Sequence, residues 1–262
     1  MLCARPFLFS GLLLIPVLVA CSNAPRVSLP AAAASQKNPL QSENERGFSA
    51  AQFVKTDIDR VADAYHREVF AGLRGLAEKL YRRNPAEFRK TGLAEVKEAA
   101  AVATDPARGW RFDEFGGRYG TDAVQLAFRE DYSGDRVRAL IAGLGGMMQN
   151  AFNGKDEFYM TDDLDPQNLY NSARNVEIVV WRLSNARMTD GRLYLLTNEA
   201  AQAAQPGQPG QAANLSFERE FGKIIGHFDL LARIVADKTS RTVVKVVQSL
   251  ATAVFFPVSF VK

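Results

Sequence analysis

The chain reads as a mostly α protein: one helical, bundle-like domain over residues 48–262, with a single small β-hairpin near 187–197. Two observations carry this. Apolar residues recur at steps of three and four along three long segments, the period of one helix face. Only "TDGRLYLLTN" sets an Asp-Gly turn beside a short apolar run, the pattern of a hairpin. Composition agrees, since 47% hydrophobic and 23% charged residues are those of an ordinary globular chain. A net charge of +3 is too small to point to nucleic acid as a partner.

Taken in order, Val54, Ile58, Val61, Tyr65, Val69, Leu73, Leu76 and Leu80 predict a helix over about 49–83. It ends before Asn84-Pro85, because a residue preceding proline disfavours the helical region. Shorter helices are expected at 92–103, 121–130 and 135–152. Leu169, Ala173, Val176, Val180 and Leu183 mark a second long helix, with Asp165 as its cap and Pro166 at its first position. Phe217, Phe221, Ile224, Phe228, Leu231 and Val235 mark a third, capped by Ser216. Between them "AQAAQPGQPGQAAN", 201–214, reads as an exposed, mobile loop of low complexity.

The helix at 135–152 is unusual, because no charge occurs from Ala139 to Gly154. Three glycines interrupt it, and each costs about 1 kcal/mol relative to alanine. One reading is a central helix buried on all sides. The other is a wall of an apolar cavity formed by Gly143, Gly145, Gly146, Met147 and Met148, open to a lipid or other hydrophobic ligand.

Chemistry-bearing motifs are sparse. His66 and His227 each lie at the edge of a helix's apolar face and read as packed residues. Asp156, Glu157, Asp162, Asp163 and Asp165 fail the ligand spacing of a calcium loop and read as a solvated loop. No catalytic residue, metal ligand or bound cofactor is expected, and the chain reads as a non-enzyme. A cell-wall enzyme working through paired carboxylates is the alternative. The stretch "RGWRFDEFGGRYG", 108–120, stands apart. Its Trp110, Arg111, Phe112, Phe115, Arg118 and Tyr119 are of the types enriched at binding hot spots, and they form the candidate interaction surface. The bland alternative is that the aromatics cap the core.

At the C-terminus, "TVVKVVQSLATAVFFPVSFVK" predicts an amphipathic helix ended by Pro257. Val243, Val246, Val247, Leu250 and Val254 gather on one side; Arg241, Lys245, Gln248, Ser249 and Thr252 on the other. Its apolar side is expected to pack on the domain rather than lie on a membrane surface.

The N-terminus carries an address. Arg5 precedes an apolar run from Pro6 to Ala20, shorter than the roughly 17–25 residues of a spanning helix and patterned like a secretory signal. At its end, Leu18-Val19-Ala20-Cys21 resembles the lipobox of bacterial lipoproteins. The resemblance covers the signal alone and names no family for the domain. It implies that residues 1–20 are cleaved and that Cys21 receives a diacylglycerol on sulfur and, as is common in such lipoproteins, acylation on its new amine. Two or three chains anchor stably where one does not. Ser22, where an aspartate retains such proteins at the inner membrane, implies the periplasmic face of the outer membrane. Residues 21–47 then read as a flexible tether with a span of roughly 25–30 Å. The expected function is a non-enzymatic interaction or assembly module for another envelope protein. A lipoprotein that binds a hydrophobic ligand is the alternative.

Overall fold

The computed structural model describes residues 55–199, 213–245, 249–250 and 252–259. Among them it forms seven α-helices and no sheet, the all-α single domain expected. The signal, Cys21, the tether and residues 200–212, which include positions 201–212 of the low-complexity loop, lie outside the described residues.

Helix α1 runs Asp57–Arg83, starting later than periodicity alone predicts. A capping box decides the start: the Thr56 hydroxyl accepts from the Asp59 amide at 3.3 Å, and the Asp59 carboxylate accepts from the Thr56 amide at 2.7 Å. Two orphan amides are thereby satisfied reciprocally. At the other end Asn84 caps α1, and Pro85 opens a short helix the periodicity missed, α2 (Pro85–Lys90). Then come α3 (Val96–Ala103) and α4 (Thr121–Leu126), both shorter than expected. α5 (Arg136–Ala151) and α6 (Pro166–Asn185) follow the predicted spans. Asp165 caps α6 as expected, accepting from the Gln167 amide at 2.9 Å.

α7 (Ser216–Thr239) keeps its predicted stripe but not its predicted cap. Ser216 is already helical, and two asparagines do the capping. Asn214 Oδ1 accepts from the Ser216 amide and Asn198 Oδ1 from the Phe217 amide, each at 3.1 Å. The hairpin is likewise reduced. The Asp190-Gly191 turn forms, but pairing stops at one bridge, Arg187 to Leu193. Leu195 is drawn into the core. The main chain of Leu196 is claimed by Asn84, whose amide donates to its carbonyl at 2.9 Å and accepts from its N–H at 2.7 Å.

α5 is the centre of the domain, with α1, α2, α3, α4 and α6 all packed against it. Every residue of α5 but Arg138, Gln149 and Asn150 is buried, as a helix apolar all round must be. α6 and α7 pair along their length, and α7 closes onto α1. Arg174 of α6 fixes the first pairing by bonding both carboxylate oxygens of Asp229 on α7, at 2.8 and 2.7 Å.

The C-terminal expectation needs correcting. Residues 241–245, 249–250 and 252–259 form no helix. Of the predicted packing face, Val243 is half-buried, Leu250 and Val254 are exposed, and Val246 and Val247 lie outside the described residues. Phe255 and Val258 pack on the core instead. The segment runs extended along α6, and buried asparagines of that helix hold its main chain. Asn175 donates to Phe256 O at 2.9 Å and accepts from Phe256 N at 2.6 Å. Asn171 donates to Pro257 O at 2.9 Å and Asn168 to Ser259 O at 2.7 Å. Competition accompanies the loss of the helix: within the predicted stretch, Gln167 accepts from the Val244 N–H at 2.8 Å and donates to its carbonyl at 3.2 Å, and Arg182 donates to Ala253 O at 3.2 Å, so α6 takes backbone groups that helical bonds would otherwise satisfy.

A buried polar network ties α1 to α5. Tyr81, fully buried, donates its hydroxyl to Asp135 Oδ2 at 2.7 Å. Asp135 caps α5 by accepting from the Arg138 amide at 3.0 Å. Arg138 pairs with Glu114 at 3.0 Å and lies 3.7 Å from Asp135. Burial pushes the Asp135 carboxyl above the usual range, against the pull of its hydrogen bonds from Tyr81 and the Arg138 amide. It also pushes the Tyr81 hydroxyl up, and the Asp135 charge beside it adds to the effect. Asp135→Ala should therefore lower the unfolding free energy in urea by about 3 kcal/mol, because removing one member strands buried polar partners. Tyr81→Phe should cost only about 1 kcal/mol, the worth of one hydrogen bond.

Candidate functional site

The loop at 105–120 is built by backbone turns. Asp105 caps a 3-10 turn at Pro106–Arg108, accepting from the Ala107 amide at 3.0 Å. Gly109 and then Trp110 take left-handed φ of 60°. That conformation costs glycine little and tryptophan more. It turns the indole inward, so Trp110 is buried. There the ring stacks on Phe70 at 5.4 Å.

The glycines of α5 make this possible. A Cβ at Gly145 would lie 2.1 Å from the Trp110 ring, and one at Gly146 would lie 2.8 Å from the Tyr119 ring. At Gly143 it would meet the backbone of α4's first turn, 2.6 Å from Val124 N. The positions predicted as a cavity wall are thus filled: Gly143, Gly145 and Gly146 accept close packing, and Met147 and Met148 are buried in the core. The aromatic rings against Gly145 and Gly146, which commonly bury 150–250 Å² each, and the close approach of α4 at Gly143 offset the helix-propensity cost of about 1 kcal/mol per glycine.

The predicted interaction residues accordingly divide. Trp110 and Phe115 are core, while Phe112 and Tyr119 are half-buried. Arg111 and Arg118 are exposed, as is Arg108. Arg111 lies over the Tyr119 ring at 4.6 Å, and Arg108 and Arg138 flank Phe112 at 5.9 and 5.3 Å. Three guanidinium groups face outward: those of Arg108 and Arg111 rest on aromatic rings, Arg108 also lies 3.6 Å from Asp105, and Arg118 reaches the Phe115 carbonyl at 3.4 Å. Beside them opens a cleft of ≈ 340 Å³ lined by Trp110, Arg111, Tyr119, Gln149 and Asp156 among others.

His66 sits behind this cleft. It is buried among Phe70, Phe152 and Phe158. Its Nε2 has no hydrogen-bond partner, and Asp156 Oδ1 lies 3.6 Å away, too far to serve as one. Burial pushes its pKa below the ordinary value, against the pull of Asp156. His227 is elsewhere, half-buried on α7 with its ring 5.2 Å from that of Tyr65. The acidic cluster serves structure. Asp162 accepts from the Tyr159 amide at 3.0 Å, Asp156 from Gln149 at 3.0 Å and Glu157 from the Tyr159 hydroxyl at 2.7 Å. No group of three potential metal ligands occurs among the described residues. Asn150 joins this region to the C-terminal segment: its Oδ1 accepts from the Tyr119 hydroxyl at 3.1 Å, and its amide reaches Val258 O at 3.5 Å.

Set against known proteins, the chain matches no family model, no curated protein and no solved structure. The functional reading therefore comes from the residues themselves. The asparagines of α6 were not singled out from sequence. Their signal was present: Asn168, Asn171 and Asn175 share one helix face at spacings of three and four, in an interior where asparagine is a poor helix former.

Gly145→Ala should destabilise the domain by about 1–3 kcal/mol through overpacking. Gly75→Ala, on α1 with nothing within 4 Å of the new Cβ, should stabilise it by roughly 0.5–1 kcal/mol, both read by urea denaturation. For His66 the sign follows from linkage. The unfolded chain takes up a proton below about pH 6.5, while the folded chain resists until a lower pH. Its contribution is thus full above that value and is lost as pH falls toward the folded pKa. His66→Gln should show a smaller drop in melting temperature between pH 7 and pH 5 than the unaltered chain.

Proposed function

We propose that this protein is a lipid-anchored module of the bacterial envelope that works by holding another protein, without chemistry of its own. The observation that carries the reading is Leu18-Val19-Ala20-Cys21 behind its apolar run, which resembles a lipobox. A lipid on Cys21 confines the chain to a membrane, and Ser22 favours the outer membrane by analogy with such lipoproteins. The proline, alanine and small polar residues of 21–47 support a tether between that anchor and the domain.

The arginine row supports the second half of the reading. Arg108, Arg111 and Arg118 are exposed on a loop whose Trp110 and Phe115 are locked in the core. Arg108 and Arg111 held on rings, and a loop fixed by buried aromatics, lose little freedom on binding, which lowers the cost of association. Such a surface suits an acidic face of a partner protein, through charge-assisted and bidentate contacts.

Each half has its own test. Cys21→Ala should abolish palmitate labelling and leave an uncleaved precursor; continued labelling and processing would remove the anchor. A photoreactive residue in place of Arg118, in the anchored chain, should yield discrete protein adducts in the envelope. Those adducts should fade at least tenfold when Arg108→Glu and Arg111→Glu are added. Absence of any adduct, or indifference to the charge reversal, would overturn the interaction surface.

A further inference from the structure

The contacts between α6 and the C-terminal segment follow a register. Arg182 donates to Ala253 O at 3.2 Å, Asn175 pairs with Phe256, and Asn168 pairs with Ser259. Each step covers seven helical residues, about 10.5 Å at 1.5 Å per residue. It is matched by three extended residues, roughly 10 Å. The helix and an extended chain running antiparallel to it are therefore commensurate over three rungs. Asn175 takes both the N–H and the C=O of Phe256, with bonds of 2.6 and 2.9 Å. Asn168 does the same to Ser259, its N–H contact being the longer at 3.4 Å. Asn171 takes only the carbonyl of Pro257, because proline has no N–H. Its free Oδ1 accepts from Gln167 instead, at 2.9 Å.

These rungs read main chain, not side chains. Val254 stays 71% exposed, and Phe255 and Val258 are the residues that pack on the core. A lipid tail offers neither donors nor acceptors at this spacing, whereas an extended polypeptide offers both. One group in the groove is left incompletely matched. The guanidinium of Arg182, half-buried, is held by the Ala253 carbonyl and the face of Phe255 at 4.6 Å. Among the described residues it has no carboxylate partner.

We propose that this face of α6 is a docking groove for an extended segment of another protein, with residues 253–259 as its exchangeable resident. The segment it fits has an aromatic residue at the place of Phe255, an aliphatic one at the place of Val258 and free N–H groups at the places of Phe256 and Ser259. It also has an acidic side chain within the stretch aligned with Thr252–Val254, which completes Arg182 and gives the incoming segment an advantage over the tail. The inference rests on reading the protein as an interaction module but uses another face. Loss of adducts at position 118 leaves it standing, and its failure leaves the arginine row standing.

The test uses the full chain and a fluorescent peptide of residues 252–259, with and without Val254→Glu. Phe256→Pro together with Ser259→Pro removes both main-chain donors, so this chain should release its tail. It should bind either peptide at least tenfold more tightly than the unaltered chain, by fluorescence anisotropy. The acidic peptide should bind about fivefold better than the plain one. Arg182→Gln should erase that preference, and Asn175→Ala should cost at least tenfold for both. A double-proline chain that melts normally, exposes 253–259 to hydrogen exchange and binds neither peptide overturns the proposal. So does indifference to Asn175→Ala or to the added acid. If the double-proline chain does not fold, the unaltered chain decides: millimolar acidic peptide should speed amide exchange at 253–259, and no change overturns the groove. An unaltered chain that elutes as a dimer with exchanged tails makes a second copy the occupant and overturns the proposal in favour of self-association.

Discussion

The lock between Trp110 and the glycine face of α5 sets where much of the chain can go. A Cβ at Gly145 and the Trp110 ring cannot both occupy the same space. The helix therefore gives up propensity at three positions, and the loop gives up an ordinary φ at Trp110. Neither concession is stable alone. Together they bring the 105–120 loop and α4 onto α5. The Tyr81–Asp135–Arg138–Glu114 network then ties the same loop to the foot of α5 and to α1. Interiors packed to crystal-like density transmit such constraints. The loop that carries the exposed arginines is itself positioned by Trp110 and Phe115, which are buried.

A second principle governs the extended segments. Every backbone N–H and C=O needs a partner, yet the described residues contain no sheet to supply one. Side-chain amides stand in. A carboxamide carries a donor and an acceptor in the arrangement of a peptide unit, so one asparagine can take the place of a neighbouring strand. Asn84 does this for Leu196, Asn175 for Phe256, and Gln167 for Val244, whose N–H it accepts at 2.8 Å. Helix faces thus do for extended main chain what strand edges do in a β protein.

This division explains what could be read in advance. The long stripes gave α1, α6 and α7, because a buried face imposes its period on the apolar residues. The Thr56-to-Asp59 box was equally visible in the letters, but the apolar period running through it masked the start of α1. The C-terminal segment misled for the same reason. Its valines fit a helical period, while the groups that straighten it lie on α6, some eighty residues away in sequence. Long-range side-chain-to-backbone bonds leave no local period. Which aromatics of the 108–120 loop would be buried could not be decided for a related reason: the places of Trp110 and Tyr119 depend on gaps in α5, not on their own neighbours in sequence.

Energetically the two kinds of contact are unequal, and that inequality locates the adaptable part of the molecule. Trp110, Phe115 and Tyr81 are sunk in one continuous core. Loss of a buried aromatic of this size typically costs 3–5 kcal/mol. The tail has no comparable anchor. Ala253 is its one buried apolar residue among those described, and Phe255, Phe256 and Val258 are only half-covered. Its remaining hold is a handful of hydrogen bonds worth about 1 kcal/mol net each, set against the entropy of ordering several residues at roughly 1–2 kcal/mol apiece. Those terms nearly cancel. Local opening free energies in a folded domain range from near zero to the global value. The tail belongs at the low end and the α5 lock at the high end. A segment held mainly through its main chain, by side chains that any extended main chain could satisfy, is the part of this fold that can be exchanged without disturbing the rest.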